Sequence, residues 1–330
     1  MTTDLMTRAR AGDGEAFRAL TEPHRRELHV HCYRMLGSFQ DAEDAVQDTL
    51  LAAWQSLAWF EERASIRTWL YRIATNRCLD ALRTAKRRPT VDWSIPGADP
   101  PEPTGHGEVV WLEPYPDALL QGAGDMPVAP EAHYEQAETI SLAFVTALQV
   151  LPARQRAVLI LRDVLGYRAN EVTDMLGWTL DSVTSTLKRA RAGLRRPGDR
   201  EAPPDPASPA EQTLVDKFVR TYQAGDIDGL VALLTDDILL SMPPIPLEFQ
   251  GRDVVARFFA GVLGQDGRYD LVPTRANGQP AFGAYRRGPA GGVRRCTGLL
   301  VLTLTGDRIS AITRFDNDVL PTFGLPRSLP

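Results

Sequence analysis

The chain has little lysine, little cysteine and no long apolar run. Lysine occurs only at Lys86, Lys188 and Lys217, so nearly all positive charge is guanidinium, which pairs well with carboxylates and phosphates. The three cysteines, Cys32, Cys78 and Cys296, are far apart and odd in number. That excludes a disulfide framework and a zinc cluster. No apolar stretch approaches the roughly 18 residues that a membrane span needs. The first residues lack a basic-then-apolar leader. The expectation is a cytoplasmic protein with no membrane partner. His29-Val30-His31-Cys32 would set its side chains on diverging helix faces, so neither a metal nor another cofactor is expected.

Basic residues are missing from one long stretch altogether. Between Pro89 and Ala153 there is no Lys or Arg, whereas Asp92, Asp99, Glu102, Glu108, Glu113, Asp117, Asp125, Glu131, Glu135 and Glu138 are acidic. With those removed, 32 acidic residues face 37 basic ones, so the net charge of -5 conceals two arginine-rich blocks. Pro, Gly and acidic residues dominate 89–130, which reads as a linker. A second break, Arg196 to Pro209, is too rich in proline to be helical. The 330 residues suffice for two or three domains. The divisions expected are 1–88, an acidic linker at 89–135, 136–196, a proline-rich linker at 197–210, and 211–330.

The first block reads as helical. In Asp41–Leu57, Ala42, Ala45, Val46, Thr49, Leu50, Ala53, Trp54 and Leu57 fall on one stripe, leaving Glu43, Asp44, Gln47 and Asp48 as an acidic outer face. Ser65–Arg88 turns Trp69, Leu70, Ile73, Leu79 and Leu82 inward and keeps six arginines for its polar side. The middle block reads as helix, helix, tight turn, helix. Pro152 suits a helix start, Gly177 suits a left-handed helix end, and Thr179 suits an N-cap. The final helix, Leu180–Leu194, carries Lys188, Arg189 and Arg191. This is the layout of a helix-turn-helix. The last block changes period. Helices at 211–224 and Asp228–Leu234 precede a strand at 238–242, a helix at 252–263 and strands at 269–274, 279–285, 295–305 and 308–316. Gly306-Asp307 is the expected hairpin turn.

Three stretches now bear on family. "DAEDAVQDTLLAAW" at 41–54, "SIRTWLYRIATNRCLDALR" at 65–83 and the helix-turn-helix at 151–194 resemble the extracytoplasmic-function branch of the sigma-70 family, in its order and spacing. The resemblance implies two all-α sigma domains, whose partners are RNA polymerase core and promoter DNA. It assigns Asp41, Asp44, Gln47 and Asp48 to the polymerase β′ clamp, the helix-turn-helix domain to the β flap, and 65–83 to the minus-10 element. Residues 60–64 would hold a flipped base. Minus-10 contacts are then expected from Arg63, Ser65, Thr68, Trp69, Arg72, Asn76, Arg77 and Arg83, although Trp69 and Tyr71 suit a core equally well. Minus-35 contacts are expected from Thr179, Ser182, Thr184, Ser185, Lys188 and Arg189. Where the family commonly has V-K-S-R-L-x-R-A-R, this chain has Thr184 and Thr186 in place of a Lys and an Arg, which lowers the electrostatic share of affinity.

The segment "WLEPYPD" at 111–117 resembles a tag of sigma factors with long C-terminal extensions. Its Trp111, Leu112 and Tyr115 are costly to leave in water and are expected to dock. The last block, with its "ITRFDN" and "FGLP" segments, resembles SnoaL-like domains of the nuclear-transport-factor-like cone fold. That fold includes isomerases, so an enzymatic reading must name an acid-base pair, for which Tyr222, Asp236, Arg314 and Asp316 are the candidates. Asp316 is equally suited to a structural role. The reading preferred from sequence is a sigma factor that is not an enzyme, whose α+β cone-like domain regulates it in cis and offers room for a small-molecule ligand. A conventional regulator using only the helix-turn-helix would leave the first block without a role.

Overall fold

The computed structural model describes residues 2–84, 101–107, 111–120, 139–194, 201–263, 269–287 and 292–330. The expected divisions at 88/89, 135/136 and 196/197, with Arg87, Arg88 and Arg195, lie outside the described residues. The chain forms two units, Met1–Arg88 with Phe144–Arg196, and Pro89–Ala143 with Pro197–Pro330.

The first unit is helical. Helices α1 (Thr2–Arg10), α2 (Gly14–Leu36), α3 (Phe39–Ser56) and α4 (Ile66–Thr84) make its N-terminal part. The starts and stops follow the side chains. Asp13 accepts the Glu15 and Ala16 N–H groups at the head of α2, and Gly37, at φ 72°, ends that helix with its N–H on the Tyr33 carbonyl. Ser38 then caps α3 through the Asp41 N–H (3.1 Å). Leu28, Cys32, Tyr33 and Met35 of α2 are buried, as are Ala42, Ala45, Val46 and Ala53 of α3 and Leu70, Tyr71, Ala74 and Cys78 of α4. Past α4, the same unit holds α7 (Ala153–Leu159), which continues into a π-turn at Ile160–Val164, then α8 (Ala169–Leu176) and α9 (Leu180–Gly193). The earlier helices α5 (Asp117–Leu120) and α6 (Leu142–Val150) complete the helical count before it.

The second unit is a sheet with helices on one face. Strands β1 (Gly105–His106), β2 (Leu234–Met242), β3 (Ile245–Gln250), β4 (Tyr269–Ala276), β5 (Gln279–Arg287), β6 (Arg294–Thr305) and β7 (Arg308–Phe315) run in the order β1-β3-β2-β7-β6-β5-β4, and β8 (Ser328–Leu329) pairs with β6. All pairings are antiparallel except β2 with β7. Helices α10 (Pro209–Ala224), α11 (Ile227–Ala232) and α12 (Arg252–Leu263) supply Phe218, Tyr222, Leu230, Phe258 and Phe259 to a core shared with Leu240, Phe249, Phe282, Leu302 and Ile312 of the sheet. Burial of large aromatic and aliphatic side chains on one sheet face accounts for the stability of this layer.

Three expectations are corrected here. The helix expected at Asp228–Leu234 stops at Ala232, because Leu234 pairs with Ile309 of β7 and begins β2. Strand β3 was not foreseen. Its alternating Ile245, Leu247 and Phe249 face inward, but Pro243-Pro244 just before it obscures the pattern. The acidic linker is not devoid of structure either. Thr104 and Gly107 donate to the Glu248 and Pro246 carbonyls (2.9 and 3.1 Å), so β1 extends the sheet edge.

Candidate functional site

The outer face of α3 is built by its own periodicity. Ala42, Ala45, Val46, Thr49 and Ala53 turn inward, which leaves Asp44, Gln47 and Asp48 exposed and Asp41 half-buried in the first turn. Carboxylates at this end are favoured by the helix dipole, and the stripe continues into the exposed Leu51.

Helix α4 starts where Ser65 Oγ accepts the Thr68 N–H (3.1 Å). Arg72, Asn76, Arg77 and Arg83 are exposed along it, and Arg63 is exposed in the preceding loop. Arg83 pairs with Asp80 (2.7 Å) and Arg63 with Glu61 (2.6 Å). Both ion pairs are solvent-exposed and worth little, so neither holds its guanidinium away from an incoming phosphate. Trp69 is placed differently. Its ring stacks on Phe60 at 4.5 Å and packs on the small core of Met6, Ala9, Leu20 and Leu57. Tyr71 is buried and donates to Glu27 (3.3 Å).

Gly177, at φ 68°, closes α8 with its N–H on the Thr173 carbonyl (2.8 Å), and Thr179 caps α9 through the Ser182 N–H (3.2 Å). Val183, Leu187 and Ala190 pack inward, so Thr184, Ser185, Lys188 and Arg189 are exposed and Ser182 half-buried. Arg189 reaches Thr186 Oγ1 (3.3 Å). Arg191 forms two hydrogen bonds with Asp163 (2.7 and 2.8 Å) and so braces α9 against the π-turn.

The N-terminal helices and the helix-turn-helix are joined by buried polar groups. Arg156 of α7 donates to the carbonyls of Met35, Gln149 and Leu151 and to the Gln149 side chain, and Gln149 donates to the Arg34 carbonyl (3.1 Å). Burial without a carboxylate partner pushes the Arg156 pKa down to about 10. The carbonyls at the end of α2 are thus satisfied by a cation, the charge that the end of a helix favours. Arg67 of α4 pairs with Glu27 (2.8 Å), lies over the Tyr71 ring at 4.8 Å and donates to the Tyr167 hydroxyl (3.4 Å).

In the second unit, one turn grips the linker twice. Asn277, fully buried at φ 58° in the β4–β5 turn, accepts the Tyr115 N–H at Oδ1 (2.8 Å) and donates its own N–H to the Tyr115 carbonyl (2.8 Å). Its Nδ2 donates to the Ile140 carbonyl (2.7 Å). Next to it, Gly278 N–H donates to Asp117 (2.8 Å), and Arg275 pairs with Asp117 (3.4 Å) and Glu211 (2.6 Å). Burial pushes the Asp117 carboxyl up, opposed by these donors. Leu112 and Tyr115 are buried, whereas Trp111 is half-buried and donates to Glu113 (3.0 Å).

The proposed acid-base groups do not converge. Asp236 is 93% exposed and paired with Arg252 (2.8 Å). Asp316 accepts the Asn317 N–H (2.9 Å) at the head of a 3₁₀ turn, and Arg314 donates to the Thr297 carbonyl. Tyr222 is buried against Phe218, Phe259 and Tyr269, and burial pushes its phenol up, away from general-base use near neutrality.

Three family models match: Sigma-70 region 2 over residues 20–88, Sigma-70 region 4 over 141–194, and the SnoaL-like domain over 215–312. The ECF RNA polymerase sigma factor SigG of Mycobacterium tuberculosis is 44% identical over 97% of this chain and 86% of that protein. The chain belongs to the ECF family of RNA polymerase sigma factors. The ECF sigma factor SigM of the same organism is 34% identical over 58% of this chain and 82% of its own length. The crystal structure of the Mycobacterium tuberculosis ECF sigma factor SigJ shares the fold, with a TM-score of 0.57 at 22% identity over 93% of this chain and 98% of that one. This sigma factor therefore directs core polymerase to promoters, its partners are core polymerase and promoter DNA, and its C-terminal domain is SnoaL-like. No helix among the described residues is long and apolar enough to cross a membrane.

Several residues of consequence escaped the sequence reading of this sigma factor: Asn277, Asp117 and Arg275 at the linker, and Arg156, Gln149, Arg67 and Tyr167 in the helical unit. Asn277-Gly278 was visible as the dipeptide of a tight hairpin turn, but its grip on the linker leaves no local signature.

Proposed function

We propose that the SnoaL-like domain regulates this sigma factor in cis by holding the linker between the two sigma domains. The observation that carries the reading is Asn277, which bonds the linker at Tyr115 and again at Ile140, on both sides of residues 121–138. A linker held at two points limits how far the segments on either side of it can separate. In the same reading, Asp41, Asp44, Gln47 and Asp48 meet the basic β′ clamp, since an acidic exposed face complements it. The helix-turn-helix domain meets the β flap. Helix α4 and its loop, through Arg63, Ser65, Thr68, Arg72, Asn76, Arg77 and Arg83, meet the minus-10 element, and Thr179, Ser182, Thr184, Ser185, Lys188 and Arg189 meet the minus-35 groove.

The domain regulates rather than catalyses, as the scattered Asp236, Asp316 and Arg314 support. A small-molecule ligand would have its polar contacts beside Tyr222, Tyr269 and Arg314, which influence one another electrostatically. Deleting residues 205–330 tests the regulation. Promoter output should change sharply while core binding persists, and unchanged output would overturn the regulatory claim.

A further inference from the structure

Large apolar side chains are rarely left in water without a use, and in this protein Trp59 is 83% exposed. The local geometry explains how it comes to point outward. Residues Leu57–Trp59 form a 3₁₀ turn after α3, and with three residues per turn Leu57 and Phe60 share a face. Both are buried in the small core with Met6 and Leu20, so Ala58 and Trp59 face solvent. The inward pair could dock whatever residue stood at position 59, so packing does not account for the indole.

The loop that follows is held in place. Arg10 donates to the Phe60 carbonyl and pairs with Glu62 (3.0 Å), and Glu62 itself takes φ 55°, a left-handed conformation costly to a residue with a Cβ. Phe60 stacks on Trp69 of α4. The indole therefore projects from a fixed shelf at the foot of α4, with the exposed Arg63, Arg72, Asn76 and Arg77 as the polar groups of the same loop and helix. An exposed ring on a rigid base beside guanidinium groups is the arrangement that binds a single nucleic-acid strand, the ring taking a base and the cations its phosphates.

We propose that Trp59 is a stacking platform for an unpaired base of the melted promoter strand. The inference rests on the assignment of α4 and its preceding loop to the minus-10 element. It takes the stacking role away from Trp69, whose ring is already occupied by Phe60. The surface exposed in the described residues fits a flat π-face, and stacking on it tolerates any base.

The test uses full-length protein in holoenzyme with purified core. Affinity is measured for short labelled single strands of deoxythymidine and for abasic strands of equal length and charge, each against core alone. Trp59→Ala should weaken binding of the base-bearing strand about tenfold and leave the abasic strand unchanged, while Trp59→Phe keeps most of the affinity. Arg72→Ala should weaken both strands. If Arg72→Ala has its effect and Trp59→Ala has none, the stacking role is wrong and the minus-10 assignment survives. If neither variant matters, the assignment itself fails. If Trp59→Ala instead lowers affinity for core, the indole is a polymerase contact and the proposal is overturned.

Discussion

Asn277 and Tyr115, 162 residues apart in sequence, hold each other through two hydrogen bonds of 2.8 Å. The pair ties a hairpin turn of the SnoaL-like domain to the linker between the sigma domains. Asn is suited to the place because it tolerates the left-handed backbone that the turn requires. Asn277→Gly keeps that backbone and removes only the side chain. Each buried hydrogen bond contributes about 1 kcal/mol, so docking of 111–140 should weaken by about 2 kcal/mol. Limited proteolysis should then cut this stretch faster in Asn277→Gly than in the unaltered protein, with no change in the cutting of α2 or α3.

Arg156 offers a second handle. Its guanidinium satisfies the carbonyls of Met35, Gln149 and Leu151 from a buried position. Arg156→Ala leaves those acceptors unpaired and opens a cavity, and the expected loss is about 3 kcal/mol. Chemical denaturation of the full chain should show it as a lower midpoint of the helical transition. Arg189→Ala, at an exposed position, should move the midpoint little.

Acid should destabilise the helical unit through its histidines. Burial is the main cause that brings His29 down to about 4 and His31 to about 3 from an ordinary 6.5. The His31 Nε2 lies 2.9 Å from the Thr75 hydroxyl, which itself donates to Tyr71, so the imidazole is held neutral with its proton on Nε2. The native state thus resists protonation that the unfolded chain accepts. Stability is full above about pH 6.5 and falls as the pH drops below it, by about 2 kcal/mol per histidine at pH 5. Melting temperatures at pH 7.5 and pH 5 should differ accordingly, and His29→Gln should reduce the difference.

The two arginines of α9 should behave differently on DNA from its lysine. Lys188 is exposed, and Lys188→Ala should weaken duplex binding by holoenzyme and lower the salt dependence by about one counterion. Arg191 is engaged with Asp163, so Arg191→Ala should leave the salt dependence in place. Titrations of affinity against salt separate the two.

Much of this fold was legible because its punctuation is local. Gly177 and Thr179 announce the turn of the helix-turn-helix, and the stripe from Ala42 to Ala53 announces the buried face of α3, each from residues a few positions apart. The misses are long-range. Leu234 reads as helix until Ile309 pairs with it, and Gly105–His106 is a strand only because Glu248 and Leu247 lie beside it. Trp69 and Trp59 are indistinguishable by type, and only the stacking on Phe60 shows which ring is already occupied. The same limit hid Arg156, whose arginine-rich neighbourhood gives no sign that one guanidinium is buried.

Run-off transcription with purified core polymerase tests the regulatory claim most directly, comparing the full chain with Asn277→Gly at matched core binding. Release of the linker is predicted to change promoter-specific output in the same direction as deletion of residues 205–330. Output from Asn277→Gly equal to that of the unaltered protein, with the linker demonstrably freed, would contradict the account.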